Sequence, residues 1–110
     1  MEEKIYEILN ELCVPFNLLG RHYLVKAVVL IKECGHASMT KVIYPQVAKE
    51  FNTSGSRVER AIRHAVECVF DNSNEEAIKK YFGFNVPQIK GKLTNSDFIY
   101  GLAEYLRLHI

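Results

Sequence analysis

Arg57, Glu59, Arg60, Arg63 and His64 crowd into one short stretch of the chain, and their types suit the reading of duplex DNA. An arginine guanidinium matches the O6 and N7 of guanine with two parallel hydrogen bonds. Arg57 and Arg60 stand one helical turn apart, so both can reach base edges from one helix face. Glu59 can accept from the amino group of cytosine. An acid among phosphates is otherwise repelled, so its presence points to a specific task or to the orientation of a neighbouring arginine. Arg63 and His64 come a turn later, where phosphate contact takes over. Thr53 and Ser56 sit at the start of the same segment and can hydrogen-bond phosphate near a helix N-terminus.

Such side chains need a helix to hold them. Val58, Ala61, Ile62, Ala65, Val66 and Val69 follow the i, i+3, i+4, i+7 pattern of an amphipathic helix from about Ser54 to Phe70. Ser56, Arg60, His64 and Glu67 fall opposite that stripe, flanked by Arg57, Glu59 and Arg63. A shorter helix precedes it, opened by Pro45, carrying Lys49, running to about Phe51 and expected to bury Val47, Ala48 and Phe51. Asn52-Thr53-Ser54-Gly55 makes the turn, with Thr53 expected as the N-cap. Two helices joined by a tight polar turn, with the small Ala48 where they must approach closely, form a helix-turn-helix. The competing reading is a solvated helix face with a local Glu59–Arg63 pair at i, i+4. The mixture of arginines with one glutamate, in place of Glu/Lys alternation, favours DNA.

The rest of the chain is also helical in period, and no segment sustains strand alternation. Ile5, Ile8, Leu9 and Leu12 mark a first helix ending near Cys13, before Pro15. A second runs from about Arg21 to Glu33 between Gly20 and Gly35 and is apolar nearly all round, as suits the middle of a bundle. Thr40 to Tyr44 reads as a turn of helix. Glu75 to Phe82 is a short helix, Phe84 to Leu93 a loop, and Thr94-Asn95-Ser96-Asp97 the polar start of a last helix. With 110 residues and no linker or repeat, the expected architecture is a single all-α bundle over residues 1–110.

The formal net charge is only +1, but charge is unevenly spread. Glu2, Glu3, Glu7 and Glu11 make the N-terminal segment acidic. Lys79, Lys80, Lys90 and Lys92 form a basic stretch without an acid. Lys90, Lys92, Thr94 and Asn95 together offer a second phosphate contact; an exposed polar loop explains them equally well. Cys13, Cys34 and Cys68 are odd in number and lie in apolar surroundings, which suits reduced thiols in a cytoplasmic protein, with Cys13 and Cys68 expected in or beside the core. No run is long and apolar enough for a membrane span, and no Cys-x-x-Cys or His-x-x-x-His spacing supports a metal. No glycine-rich phosphate loop or nucleophile constellation suggests an enzyme or a small-molecule substrate.

Lys41-Val42-Ile43-Tyr44-Pro45, Phe51-Asn52-Thr53 and the run Ser56 to Ala65 closely resemble the C-terminal effector domain of the sporulation initiation response regulators, the Spo-zero-A family. Val14-Pro15, Thr94-Asn95-Ser96, Phe98-Ile99 and Leu106-Arg107-Leu108 extend the resemblance over nearly the whole chain. It implies about six helices around the helix-turn-helix, binding of a short DNA box, often in tandem copies, and contact with the sigma subunit of RNA polymerase. It puts base reading on Arg57, Glu59 and Arg60, with Arg63 and His64 close by. No cofactor is expected. Met1 directly precedes the first effector helix, so a single effector domain without a receiver is expected. That expectation keeps a second function open: a protein-interaction module that binds polymerase or a full-length regulator and has weak or no specific DNA binding.

Overall fold

Ile5, Ile8 and Leu9 recur at helical spacing and form the buried side of α1 (Glu2–Glu11). They begin a bundle of six α-helices and one π-helical turn in the computed structural model, which describes residues 1–72, 75–83 and 93–109. No strand occurs among the described residues, so the architecture is the expected all-α one. Helix α1 stops at Leu12, and Cys13 then takes φ 61° to turn the chain. The backbone N–H of Val14 donates back to the Leu9 carbonyl at 3.0 Å.

Helix α2 (Leu19–Cys34) is the spine of the bundle and packs against the first helix, the helix-turn-helix and the last helix. Tyr23, Leu24, Val25, Ala27, Val28 and Ile31 are all buried along it, as an all-round apolar sequence requires. It starts before the expected Arg21, so Gly20 lies inside its first turn. A Cβ built on Gly20 would stand 2.1 Å from the carbonyl oxygen of Ala61, so only glycine lets this helix come so near its neighbour. Arg21 is the one buried charged residue among those described. Its Nη1 donates to the Val14 carbonyl at 3.1 Å and its guanidinium lies 5.2 Å from the centre of the Tyr6 ring. These contacts replace the water it loses. Gly35, at φ 75°, ends the helix.

The expected turn before Tyr44 is a π-helical turn, Met39–Ile43, whose N-cap Ser38 accepts from the Lys41 N–H at 3.2 Å. It runs directly into α3 (Tyr44–Glu50), with Pro45 in the first turn, where a missing N–H costs nothing. Helix α4 (Gly55–Asn72) extends two residues beyond the expected Phe70 and buries Val58, Ile62, Ala65, Val66 and Val69.

Helix α5 (Glu75–Phe82) has acids in its first turn and lysines in its last, each favourable to the helix dipole. Helix α6 (Asn95–His109) opens with a capping box. The Asp97 N–H donates to Thr94 Oγ1 at 3.1 Å, and the Thr94 N–H donates to Asp97 Oδ2 at 3.4 Å. Phe98, Ile99, Leu102 and Leu106 are fully buried and fix α6 in the core.

The cysteines depart from expectation. Cys13 and Cys34 are exposed, and Cys68 is half-buried. Cys13 leaves the core because the left-handed turn after α1 swings it off the apolar face that ends at Leu12. Burial, followed by nearby Asp71 and Glu67, pushes the Cys68 thiol up, away from thiolate chemistry.

Candidate nucleic-acid interface

The apolar stripe of α4 faces the core, so its opposite face is fixed toward solvent. Ser56, Arg57, Arg60, Arg63 and His64 are exposed there, while Glu59 is half-buried at one edge. Lys49 on α3 is exposed and Thr53 in the turn is half-buried. Among the described residues neither Arg57 nor Arg60 has an ion-pair partner. Glu59 and Arg63 do pair: Arg63 Nη2 donates to Glu59 Oε1, the i, i+4 contact expected from the spacing.

The turn is built differently in detail from the sequence reading. Within the turn, Asn52 adopts the left-handed conformation, at φ 54°. Asparagine tolerates that region better than other non-glycine residues. The Thr53 N–H donates to the Ala48 carbonyl at 2.9 Å and closes the end of α3. The cap of α4 is Ser54, not Thr53: Ser54 Oγ accepts from the Arg57 N–H at 3.3 Å. Both hydroxyls can cap, and the helix start at Gly55 puts Ser54 in register.

Several contacts hold the two helices from outside the motif. Lys26 of α2 pairs with Glu50 at the end of α3 at 2.9 Å. Phe51, expected to be buried, caps the end of α3 and is 41% exposed, packing only one side of its ring edge to face on Tyr23, with ring centres 5.0 Å apart. Within the motif, Val47 and Ala48 of α3 are buried. The hydroxyl of buried Tyr44 is pushed up by burial, with the Asn95 hydrogen bond acting in the opposite direction. Sequence reasoning did not identify Tyr23, Lys26 or Tyr44 as supports, because each acts through a partner far along the chain.

Asn95 is turned into the protein. Its Nδ2 donates to the main-chain carbonyl of Glu59 at 3.0 Å and to the Tyr44 hydroxyl at 3.3 Å. Both hydrogens of that amide are thus spent inside the fold, and not on the phosphate contact expected of the side chain. The polar start of α6 was visible in the sequence; its inward aim was not. Lys90 and Lys92 lie outside the described residues.

Among the described residues, no group of three His, Cys, Asp or Glu side chains is placed to hold a metal ion. No helix there is long and apolar enough to cross a membrane. The N-terminal half of this face is positively charged, with Glu59 at its edge and Glu67 a turn beyond His64, and such a face can recognise a polyanion by shape and hydrogen bonding. Residues 5–106 match the family model described as the sporulation initiation factor Spo0A C terminal. The match spans all six α-helices, with α1 and α6 cut only at their outer ends.

Proposed function

The chain belongs to the Spo0A C-terminal family, helical DNA-binding domains of a sporulation transcription regulator, and on that premise we propose that α4 reads a short DNA box in the major groove. In this reading Arg57 and Arg60 bind guanine edges, and Glu59 accepts from a cytosine amino group. Thr53, Ser56, Arg63, His64 and Lys49 meet the sugar-phosphate backbone and set the register. Glu59 also holds the Arg63 side chain, so the acid serves both a base and an arginine.

The observation that carries this reading is the state of Arg57 and Arg60. Both are exposed, they lie one turn apart in the N-terminal half of α4, and no carboxylate of the described residues pairs with them. A helix face that is merely solvated gains from pairing its charges locally. These two arginines are left to an outside anion.

Binding should be measured with a duplex that the protein itself selects from a random pool, against a scrambled duplex of equal composition, over a range of salt. Tighter binding to the selected duplex is expected, with both affinities falling as salt rises. Equal affinity for the two duplexes at every salt concentration would sink base reading.

A second reading is supported by Phe16 and Leu19, which are 81% and 65% exposed beside the first turn of α2. Apolar side chains in that position suit a protein partner, whether the sigma subunit of RNA polymerase or a tandem copy on DNA. Phe16→Ser that weakens sigma binding and leaves DNA binding unchanged would support it. Sigma binding tighter than any DNA binding would make protein interaction the main role.

A further inference from the structure

We propose that Asn95 is a positioning residue for DNA reading: it locks the roll and slide of α4 against α6 and α3 through its two amide hydrogen bonds. The inference rests on the DNA-reading role of α4 proposed above.

Three separate elements meet at one side chain. Asn95 is the first residue of α6, Glu59 lies in the second turn of α4, and Tyr44 opens α3. One Nδ2 carries two hydrogens, and it has two acceptors, at 3.0 Å on the Glu59 carbonyl and 3.3 Å on the Tyr44 hydroxyl. A main-chain carbonyl has two lone pairs, so a helical carbonyl can accept from outside its own helix.

The side chain that donates is itself held. The Thr94–Asp97 capping box fixes the turn in which Asn95 sits. Behind it, Phe98, Ile99 and Leu102 are fully buried. Helix α6 is therefore a fixed reference, and Asn95 is where the reference touches the reading helix by a directional bond.

Direction is what packing alone lacks. Val58, Ile62 and Val66 hold α4 to the core through apolar burial, which resists separation but is weakly sensitive to a small rotation or shift along the axis. A hydrogen bond weakens steeply off its preferred angle and length. Glu59 lies between Arg57 and Arg60 in sequence, so pinning its main chain pins the Cα positions of both arginines. Two-pronged guanine contacts need that placement, whereas phosphate contacts by long flexible side chains tolerate error.

The test compares wild type with Asn95→Leu, which keeps a similar size and charge but cannot donate. Tyr44→Phe removes one acceptor and keeps the ring. Affinity is read for the duplex selected by the wild-type protein and for its scrambled counterpart, with folded fraction monitored by circular dichroism. Asn95→Leu, which removes both bonds, should lower the selected-to-scrambled ratio about tenfold. Tyr44→Phe should lower it about threefold by the same reasoning. Affinity for the scrambled duplex should stay within about twofold of wild type.

A partly unfolded variant loses both affinities together, so the ratio separates positioning from plain stability. An unchanged ratio in Asn95→Leu overturns the proposal. So does an equal loss on both duplexes with a shallower salt dependence, which marks a direct phosphate contact. If Asn95→Leu does not fold, Tyr44→Phe decides alone: a lowered ratio supports the lock and an unchanged one overturns it. A wild-type protein that never prefers its selected duplex is a different failure, because it removes the reading role itself and the positioning role with it.

Discussion

Gly20 and Ala61 bring α2 and α4 into main-chain contact: a Cβ on Gly20 would stand 2.1 Å from the Ala61 carbonyl oxygen and 3.1 Å from Ala65 Cβ. The obstacle is backbone, so neither a rotamer change nor a small side-chain shift relieves it. Gly20→Ala must push the helices apart or break the first turn of α2. The expected loss is about 3 kcal/mol, at the upper end for overpacking. It would be seen as a lower urea midpoint with an unchanged slope. A variant as stable as wild type would show that the two helices do not approach this closely in solution.

Arg60 lies on the opposite side of the same helix and should behave in the opposite way. Arg60→Ala is expected to leave the unfolding midpoint within about 0.5 kcal/mol of wild type, because the side chain is exposed and touches no ion-pair partner. Binding to the selected duplex should weaken by roughly 1–3 kcal/mol, with preference blunted at one base pair. Loss of stability comparable to the loss of binding would argue that the side chain serves the fold.

The cap of α4 offers a one-residue discrimination. Ser54→Ala should cost about 1 kcal/mol, since it removes the acceptor for the Arg57 N–H. Thr53→Ala should cost clearly less, because its established bond is made by its backbone and survives the substitution. Equilibrium unfolding of the two variants side by side settles the order. A larger loss from Thr53→Ala would return the cap to Thr53.

Alkaline pH should destabilise the fold through its tyrosines. Burial, followed by a hydrogen bond to Glu11, holds Tyr81 well above the ordinary phenol value of 10.0. Tyr6 and Tyr44 are raised as well, chiefly by burial. A group raised on folding contributes stability that is fully present below its unfolded pKa and is lost as pH climbs through the window above it. Unfolding free energy should therefore hold steady to about pH 9 and fall beyond about pH 10. Tyr81→Phe should flatten that fall. A variant with the same alkaline slope as wild type would remove Tyr81 from the explanation.

The sequence makes some of this architecture plain and hides the rest for identifiable reasons. The stripe Val58, Ile62, Ala65, Val66 and Val69 has the helical period, so α4 and its outward face follow from spacing alone. The Thr94–Asp97 start of α6 is equally local. Gly20 is not legible as a contact, because a glycine near a helix start reads as a breaker until the helix facing it is known. Asn95 reads as a surface amide for the same reason: its acceptors lie at Glu59 and Tyr44, and only the fold brings them near. The π-helical turn at Met39–Ile43 escapes because its side chains bury much as those of an ordinary turn would. Thr53 and Ser54 are chemically interchangeable as caps, so a shift of one position carries no sequence signature.

The isolation of Arg57 and Arg60 from every described carboxylate has an evolutionary consequence. Side chains that support nothing inside the molecule can be exchanged without a compensating change elsewhere. If Arg57 and Arg60 read bases as proposed, a duplicated gene acquires a new operator through these two codons while Gly20 and the apolar stripe stay unaltered. The molecule thereby separates the part of its inheritance that can diverge from the part that must be kept.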